Sequence, residues 1–239
     1  LLSMNKNLIK LKNLGKHYNK NKIKVLKNVD IVFKKGNIYS IIGPSGSGKT
    51  TLLNIISMIE RPSSGSLILN KKKIDFEDKN LNDKLRAEKI GIIYQDKNLL
   101  SDFTALENVY LARLALEDDE LNSKTEAKKI LKFLGLSNRE NHYPNELSGG
   151  ENQRVAIGRA IINKPEIIIA DEPTGSLDQR NSKEIFKLLF SLRNKSNIII
   201  FATHNTYFSK LADYKLQIKD GSVKYYNGWN KKKKMFYPL

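Results

Sequence analysis

The chain has 239 residues, with 42 Lys and Arg against 25 Asp and Glu, for a net charge of +17. At 40% hydrophobic residues it can bury a core, which excludes a disordered or fibrous chain. It has no cysteine, which excludes a disulfide framework, a thiolate metal site and a cysteine protease, and its three histidines lack metal-ligand spacing. In chain order, Leu8–Leu14, Val25–Phe33 and the apolar run Ile38–Ile42 read as strands, with a turn at Lys35-Gly36-Asn37. A helical period runs from Gly48 through Leu52, Ile55 and Ile59 and stops near Arg61-Pro62. A hairpin is expected over 63–74, and helices over 105–117, 123–134, 151–163 and 182–193. Ile167–Ala170 and Asn197–Ala202 read as two more buried strands. Strands alternating with helices predict an α/β fold with a mainly parallel sheet. The more charged helical stretch at about 97–160 reads as a smaller inserted subdomain.

Leu1–Ser3 lack the apolar stretch of a signal peptide and read as a remnant before a natural start at Met4. The apolar runs fall far short of the ~18 residues that span a bilayer, so the protein is expected in the cytosol unless a partner anchors it. Lysine, asparagine and isoleucine are frequent all along the chain, and the charge reads as compositional habit. The exception is Asn230-Lys-Lys-Lys-Lys-Met-Phe-Tyr, a basic-aromatic tail over 230–239.

Gly43-Pro44-Ser45-Gly46-Ser47-Gly48-Lys49-Thr50 matches G-x-x-x-x-G-K-[ST] between a buried strand and a helix. Glycines let backbone N–H groups turn inward around phosphate oxygens, and the helix start adds positive charge at the same point. Lys49 is expected at the β- and γ-phosphates and the Thr50 hydroxyl at Mg²⁺. Ile167–Ala170 delivers Asp171 and Glu172 at the carboxyl end of a strand, where open α/β sheets bind ligands. Neighbouring strand residues face opposite ways, so the two acids should have separate tasks: Asp171 on Mg²⁺, and Glu172 as the general base polarising water.

Leu147-Ser148-Gly149-Gly150-Glu151 precedes Asn152-Gln153-Arg154-Val155-Ala156-Ile157-Gly158-Arg159. By itself Ser-Gly-Gly before a helix reads either as an anion-binding helix start or as a capped one. In this order of parts the sequence resembles ABC-type ATPases over nearly its whole length. The resemblance implies a P-loop NTPase (RecA-like) core, with an N-terminal antiparallel β subdomain and an inserted α-helical subdomain, in one domain over 4–229. It implies ATP and Mg²⁺ as ligands, and a head-to-tail homodimer in which Ser148, Gly149 and Gly150 meet the γ-phosphate held by the other copy. It adds Thr51 to the phosphate-loop contacts, Tyr18 as the adenine stack, and Gln95 as the glutamine that senses Mg²⁺ and the membrane partner. Asp178, in Ser176-Leu177-Asp178, lies where the family crosses the dimer interface, and His204 lies where its switch histidine meets the γ-phosphate. The acid that usually follows that histidine is replaced by Asn205.

Leu53–Gly65 and Ala170–Asp178 resemble the macrolide- and lipoprotein-exporter (MacB/LolD) branch. The resemblance implies an ATPase at the cytoplasmic face of the membrane. There it would drive an integral membrane permease of the MacB/FtsX kind, exporting peptides, macrolides or lipoproteins without touching the cargo. An FtsE-like regulator of cell division is the alternative. No nucleic-acid partner is expected. Chromosome-maintenance relatives separate the phosphate loop from the signature by a long coiled coil, whereas Gly43 and Ser148 lie 105 residues apart.

Overall fold

The computed structural model of the protein describes residues 7–19, 23–116 and 119–226. The basic tail over 230–239 lies outside the described residues. The chain divides into two compact units, one of residues 1–82 with 193–239 and one of residues 83–192.

In the first unit β1 (Asn7–Tyr18) pairs antiparallel with β2 (Ile23–Lys34) and with β4 (Ser64–Leu69), and β4 pairs with β5 (Lys72–Lys73). The expected hairpin at 63–74 is the β4–β5 turn. Asn70 and Lys71 both take positive φ there, the geometry that lets two residues reverse a twisted pair. Alternation buries Leu11, Leu67, Leu69, Ile31 and Phe33 on one face of this sheet and leaves Lys10, Lys12 and Lys34 on the other.

The second sheet of this unit contains β3 (Ile38–Ile42), parallel to both β8 (Ile198–Ala202) and β9 (Tyr214–Lys219), with β10 (Ser222–Tyr225) antiparallel to β9. Every residue of β8 and all but the last of β3 are buried, which explains the unbroken apolar run of β8 and the nearly apolar one of β3, whose Ser40 hydroxyl donates to the Ser209 carbonyl at 3.0 Å. Each fully buried isoleucine or leucine contributes about 1.5–3 kcal/mol by leaving water. The start of β3 is pinned by the buried Asp213, whose Oδ2 accepts from the Ile38 N–H at 2.8 Å and from Arg193 at 3.2 Å.

Helix α1 (Lys49–Ile56) ends earlier than its apolar period suggests. Met58 turns to φ 57° and is buried, while the Ile59 and Glu60 N–H groups return to the Asn54 carbonyl. Ile59, which carries the apparent period onward, is exposed. β9, β10 and the short α7 (Thr206–Ser209) have no counterpart among the expected elements. Nor does α2 (Lys79–Lys89), which spans the division between the units, because its only buried residue is Asn82 and it offers no apolar stripe.

In the second unit β6 (Ile90–Ile93) runs parallel to β7 (Ile167–Asp171), with Ile93 opposite Ala170. Helices α3 (Ala105–Leu114), α4 (Glu120–Phe133) and α5 (Gly149–Ile161) pack on one another, and α6 (Gln179–Ser191) lies against α5. Thr104 and Glu107 form a capping box that starts α3. The buried Asn108 donates to the carbonyls of Leu100 and Phe103 and accepts from the Leu100 N–H at 2.8 Å, tying down the loop that leads into this helix. Among the described residues no helix is long and apolar enough to cross a membrane.

Candidate functional site

The first unit holds the phosphate loop. It leaves the carboxyl end of β3 and turns into α1, whose first turn carries no acidic side chain and whose cap residue, Gly48, offers no side-chain oxygen. The first N–H groups of the helix therefore remain available to an anion, reinforced by the helix dipole. Gly48 has φ 100°, and a Cβ there would sit 2.7 Å from Val25 Cγ1, so both conformation and space demand glycine. Lys49 reaches back across the loop, donating to the Gly43 and Pro44 carbonyls at 3.0 and 3.1 Å. Ser47 Oγ is buried with no hydrogen-bond partner among the described residues and lies 2.6 Å from where a Cβ on Gly43 would stand, a polar atom that a phosphate oxygen in the loop would satisfy. Ser45 and Gly46 are exposed at the tip, Thr50 is exposed on the first turn, and Thr51 is partly covered behind it.

His204 lies at the same end of this sheet. The Thr203 N–H donates to the Ile41 carbonyl at 3.1 Å, so His204 follows β8 where Gly43 follows β3. Asn205 caps α7, its Oδ1 accepting from the Tyr207 N–H at 2.9 Å. Asparagine caps a helix about as well as aspartate. The substitution therefore keeps the backbone and places a neutral side chain at the position after His204. Tyr18 stands half-exposed at the end of β1, donating its hydroxyl to Glu60, with Lys16 Nζ 5.0 Å from its ring centroid. Partial burial, then the Glu60 carboxylate, raise the hydroxyl's pKa.

The second unit holds the carboxylates and the signature. Asp171 ends β7 and Glu172 follows at φ 45°, a left-handed conformation that costs a non-glycine residue on the order of 1 kcal/mol. Strain of this kind concentrates at functional positions. Gln95 sits against the loop beyond it, where a Cβ on Gly175 would lie 3.1 Å from Gln95 Nε2. Lys97 Nζ donates to Ser176 Oγ at 2.6 Å, and Asp178 caps α6 by accepting from the Asn181 N–H at 2.9 Å. That bond and a second from the Asn181 side chain lower the pKa of the Asp178 carboxyl. Sequence reasoning passed over Asn181, whose side chain also lies where a Cβ on Gly150 would stand, 2.8 Å from Asn181 Oδ1. The signature thus touches the Asp178 loop of its own chain. Arg159 closes the signature run on α5. Its guanidinium donates to the Lys97 and Asn98 carbonyls at 2.6 and 2.5 Å, fixing the segment after Gln95 to α5.

Ser148 is the cap of α5. Its Oγ accepts from the Glu151 N–H at 3.2 Å and Glu151 Oε2 accepts from the Ser148 N–H at 2.8 Å. Ser148 and Gly149 are exposed, while Gly150 is buried. Glu151 is drawn down to about 2 from its ordinary 4.5, first by the Ser148 N–H and then by Arg139, whose Nε lies 2.9 Å away. Because the folded carboxyl is the stronger acid, its stabilising effect is complete above about pH 4.5 and is lost as pH falls towards 2. Acid unfolding of Glu151→Gln should show a flatter slope across that window, and an unchanged slope would remove Glu151 from the linkage.

The profile of the family described as ABC transporter matches residues 26–175. The lipoprotein-releasing system ATP-binding protein LolD of Rickettsia felis is 42% identical over 221 residues, covering 91% of this chain and 98% of that protein. Among solved structures, the dimeric form of the bacterial ABC transporter cassette MJ0796 is 39% identical with a TM-score of 0.83, covering 91% of this chain and 97% of the other. A post-hydrolysis dimer of the same cassette, bound to ADP and Pi, matches with 38% identity over the same shares and the same TM-score.

Proposed function

Since the chain belongs to the ABC transporter family as an ATP-hydrolysing subunit, with a P-loop NTPase fold, we propose that two copies close head to tail on MgATP and drive a separate membrane permease. The phosphate loop of one copy, from Gly43 to Thr51, holds the nucleotide, with Tyr18 against adenine and Lys49 on the β- and γ-phosphates. Ser148, Gly149 and Gly150 of the other copy face the γ-phosphate, and Asp178 lies along the junction. The observation that carries this reading is the exposure of Ser148 and Gly149 at the amino end of a thirteen-residue helix, where the Ser148 hydroxyl and the Gly149 N–H stand open to another molecule while the capping box uses the Ser148 and Glu151 N–H groups.

Mg²⁺ fits the donors available: the Thr50 hydroxyl, the Gln95 amide oxygen and the Asp171 carboxylate are hard oxygens. Among the described residues there is no cluster of three acids or histidines that would hold a metal unaided. That suits a cation that takes its remaining ligands from phosphate and water. When bound, it would neutralise charge on the phosphate oxygens. Glu172 accepts the proton of the attacking water, His204 contacts the γ-phosphate, and the loop N–H groups with Lys49 and Ser148 stabilise the charge that develops there.

Residues 4–229 act as one ATPase domain, with its helical part at about 97–160, and the basic tail at 230–239 follows it, on the cytoplasmic face of a membrane. The high identity to a lipoprotein-releasing ATPase favours a lipoprotein-type cargo, moved by the permease and not touched by this chain. The test is purification of the tagged chain from membranes. An integral membrane protein should accompany it and alter its ATPase rate. Recovery with partners of cell-wall hydrolases would move the assignment to the FtsE-like alternative, and recovery of no membrane protein would refute the permease.

A further inference from the structure

We propose that the outer face of the antiparallel sheet β2–β1–β4–β5 is a docking surface for an anionic lipid bilayer. The lysines look evenly spread along the sequence, but the charge is divided between the two units. The first unit has 26 Lys and Arg against 7 Asp and Glu, a net +19, and the second has 16 against 18, a net −2. A compositional preference for lysine would not strip acids from one unit alone.

Pairing divides in the same way. Among the described residues, basic side chains of the second unit are met repeatedly by acids, as in Lys84–Glu88, Lys89–Glu166, Lys129–Glu126 and Arg139–Glu151. Among the described residues of the first unit, ion pairs join Lys16 to Glu60, Arg61 to Glu77 and Arg193 to Asp213. Lys10, Lys12, Lys34 and Lys73 belong to none of these.

The register gathers these lysines on one plane. Val32, Lys10, Ile68 and Lys73 stand opposite one another across β2, β1, β4 and β5, and Lys12 stands opposite Ser66 beside them. All four lysines are exposed, while Val32 and Ile68 between them are half-buried aliphatics. Asp30, the acid on this face, already accepts from the Asn13 N–H at 3.1 Å. A flat array of unpaired ammonium groups around aliphatic side chains fits a plane of lipid phosphates. Tyr225, half-exposed and donating its hydroxyl to the Val32 carbonyl at 3.1 Å, borders these rows with a ring that suits either a lipid interface or a stacked base. The choice of membrane over nucleic acid rests on the reading that the chain serves a membrane partner.

The experiment sediments the full chain, without nucleotide or partner, with phosphatidylcholine vesicles with and without phosphatidylglycerol. Binding should require phosphatidylglycerol and weaken with salt. The triple variant Lys10→Glu, Lys12→Glu, Lys73→Glu should bind about fivefold more weakly per lysine changed, with its ATPase rate unchanged. The triple Gln variant serves if the Glu variant fails to fold. Equal binding to both vesicles overturns the proposal, as does undiminished binding by the triple variant or loss of binding in a Lys231–Lys234 to Ser variant alone. Tighter capture of a duplex oligonucleotide through the same lysines would assign the face to nucleic acid instead. None of these outcomes bears on ATP-dependent pairing, which is read separately.

Discussion

Glu172→Gln should lower steady-state ATP hydrolysis by ~10²–10⁴-fold, the range that a positioned general base supplies, while ATP binding persists. The substitution is nearly isosteric. The backbone bond from the Gly175 N–H to the Glu172 carbonyl at 3.0 Å is untouched, and the new residue inherits the same φ of 45°. What disappears is the ability to take a proton from water. Closed dimers that form on ATP would then fail to reopen, and the ATP-loaded variant should elute from gel filtration at twice the monomer mass. Ordinary turnover would rule out Glu172 as the base. A strictly monomeric, ATP-saturated variant would rule out the shared pocket.

The second large effect concerns how two copies complete one another. Lys49→Ala and Ser148→Ala should each be inactive alone, because every pocket in either homodimer lacks a component. Mixed in equal amounts, random pairing gives heterodimers with one intact pocket, so roughly a quarter of wild-type activity should return. Ser148 also caps α5, and its loss should destabilise the protein by about 1 kcal/mol. A melting curve separates that local effect from the catalytic one. Mixtures as inactive as their components would argue against head-to-tail pairing.

The sequence made some of this legible because certain chemistry needs fixed spacing. The phosphate loop, Asp171-Glu172 and the Ser148 cap each sit at the end of an element whose apolar pattern is unmistakable. The structure places them at the carboxyl ends of β3 and β7 and at the amino end of α5. The inward turn of the chain at Met58 was not legible, since it depends on one left-handed residue inside an otherwise helical period. Nor was α2, which is held by polar contacts such as Asn82 Nδ2 to the Asp75 carbonyl at 2.7 Å. β9 carries the alternation of a strand in Leu216 and Ile218, but its buried Lys215 blurs the pattern. Asn181 and Lys97 act through contacts 31 and 79 residues away in sequence, on Gly150 and Ser176, and no local pattern encodes such meetings. The uneven charge was hidden for a related reason. The first unit is assembled from both ends of the chain, so a running count along the sequence averages it away.

The clasp of Lys49 on the Gly43 and Pro44 carbonyls has a consequence for nucleotide exchange. Two of the ammonium's three N–H donors are already engaged, so on the proposed reading an arriving phosphate oxygen takes the third first and displaces a carbonyl only where it draws a second. Each surrendered bond offsets about 1 kcal/mol of the new attraction, which moderates ground-state affinity. The same two carbonyls are ready to reclaim the lysine when product leaves, so the loop keeps its shape without help from the departing ligand. Nucleotide would then enter and leave a seat that is already set.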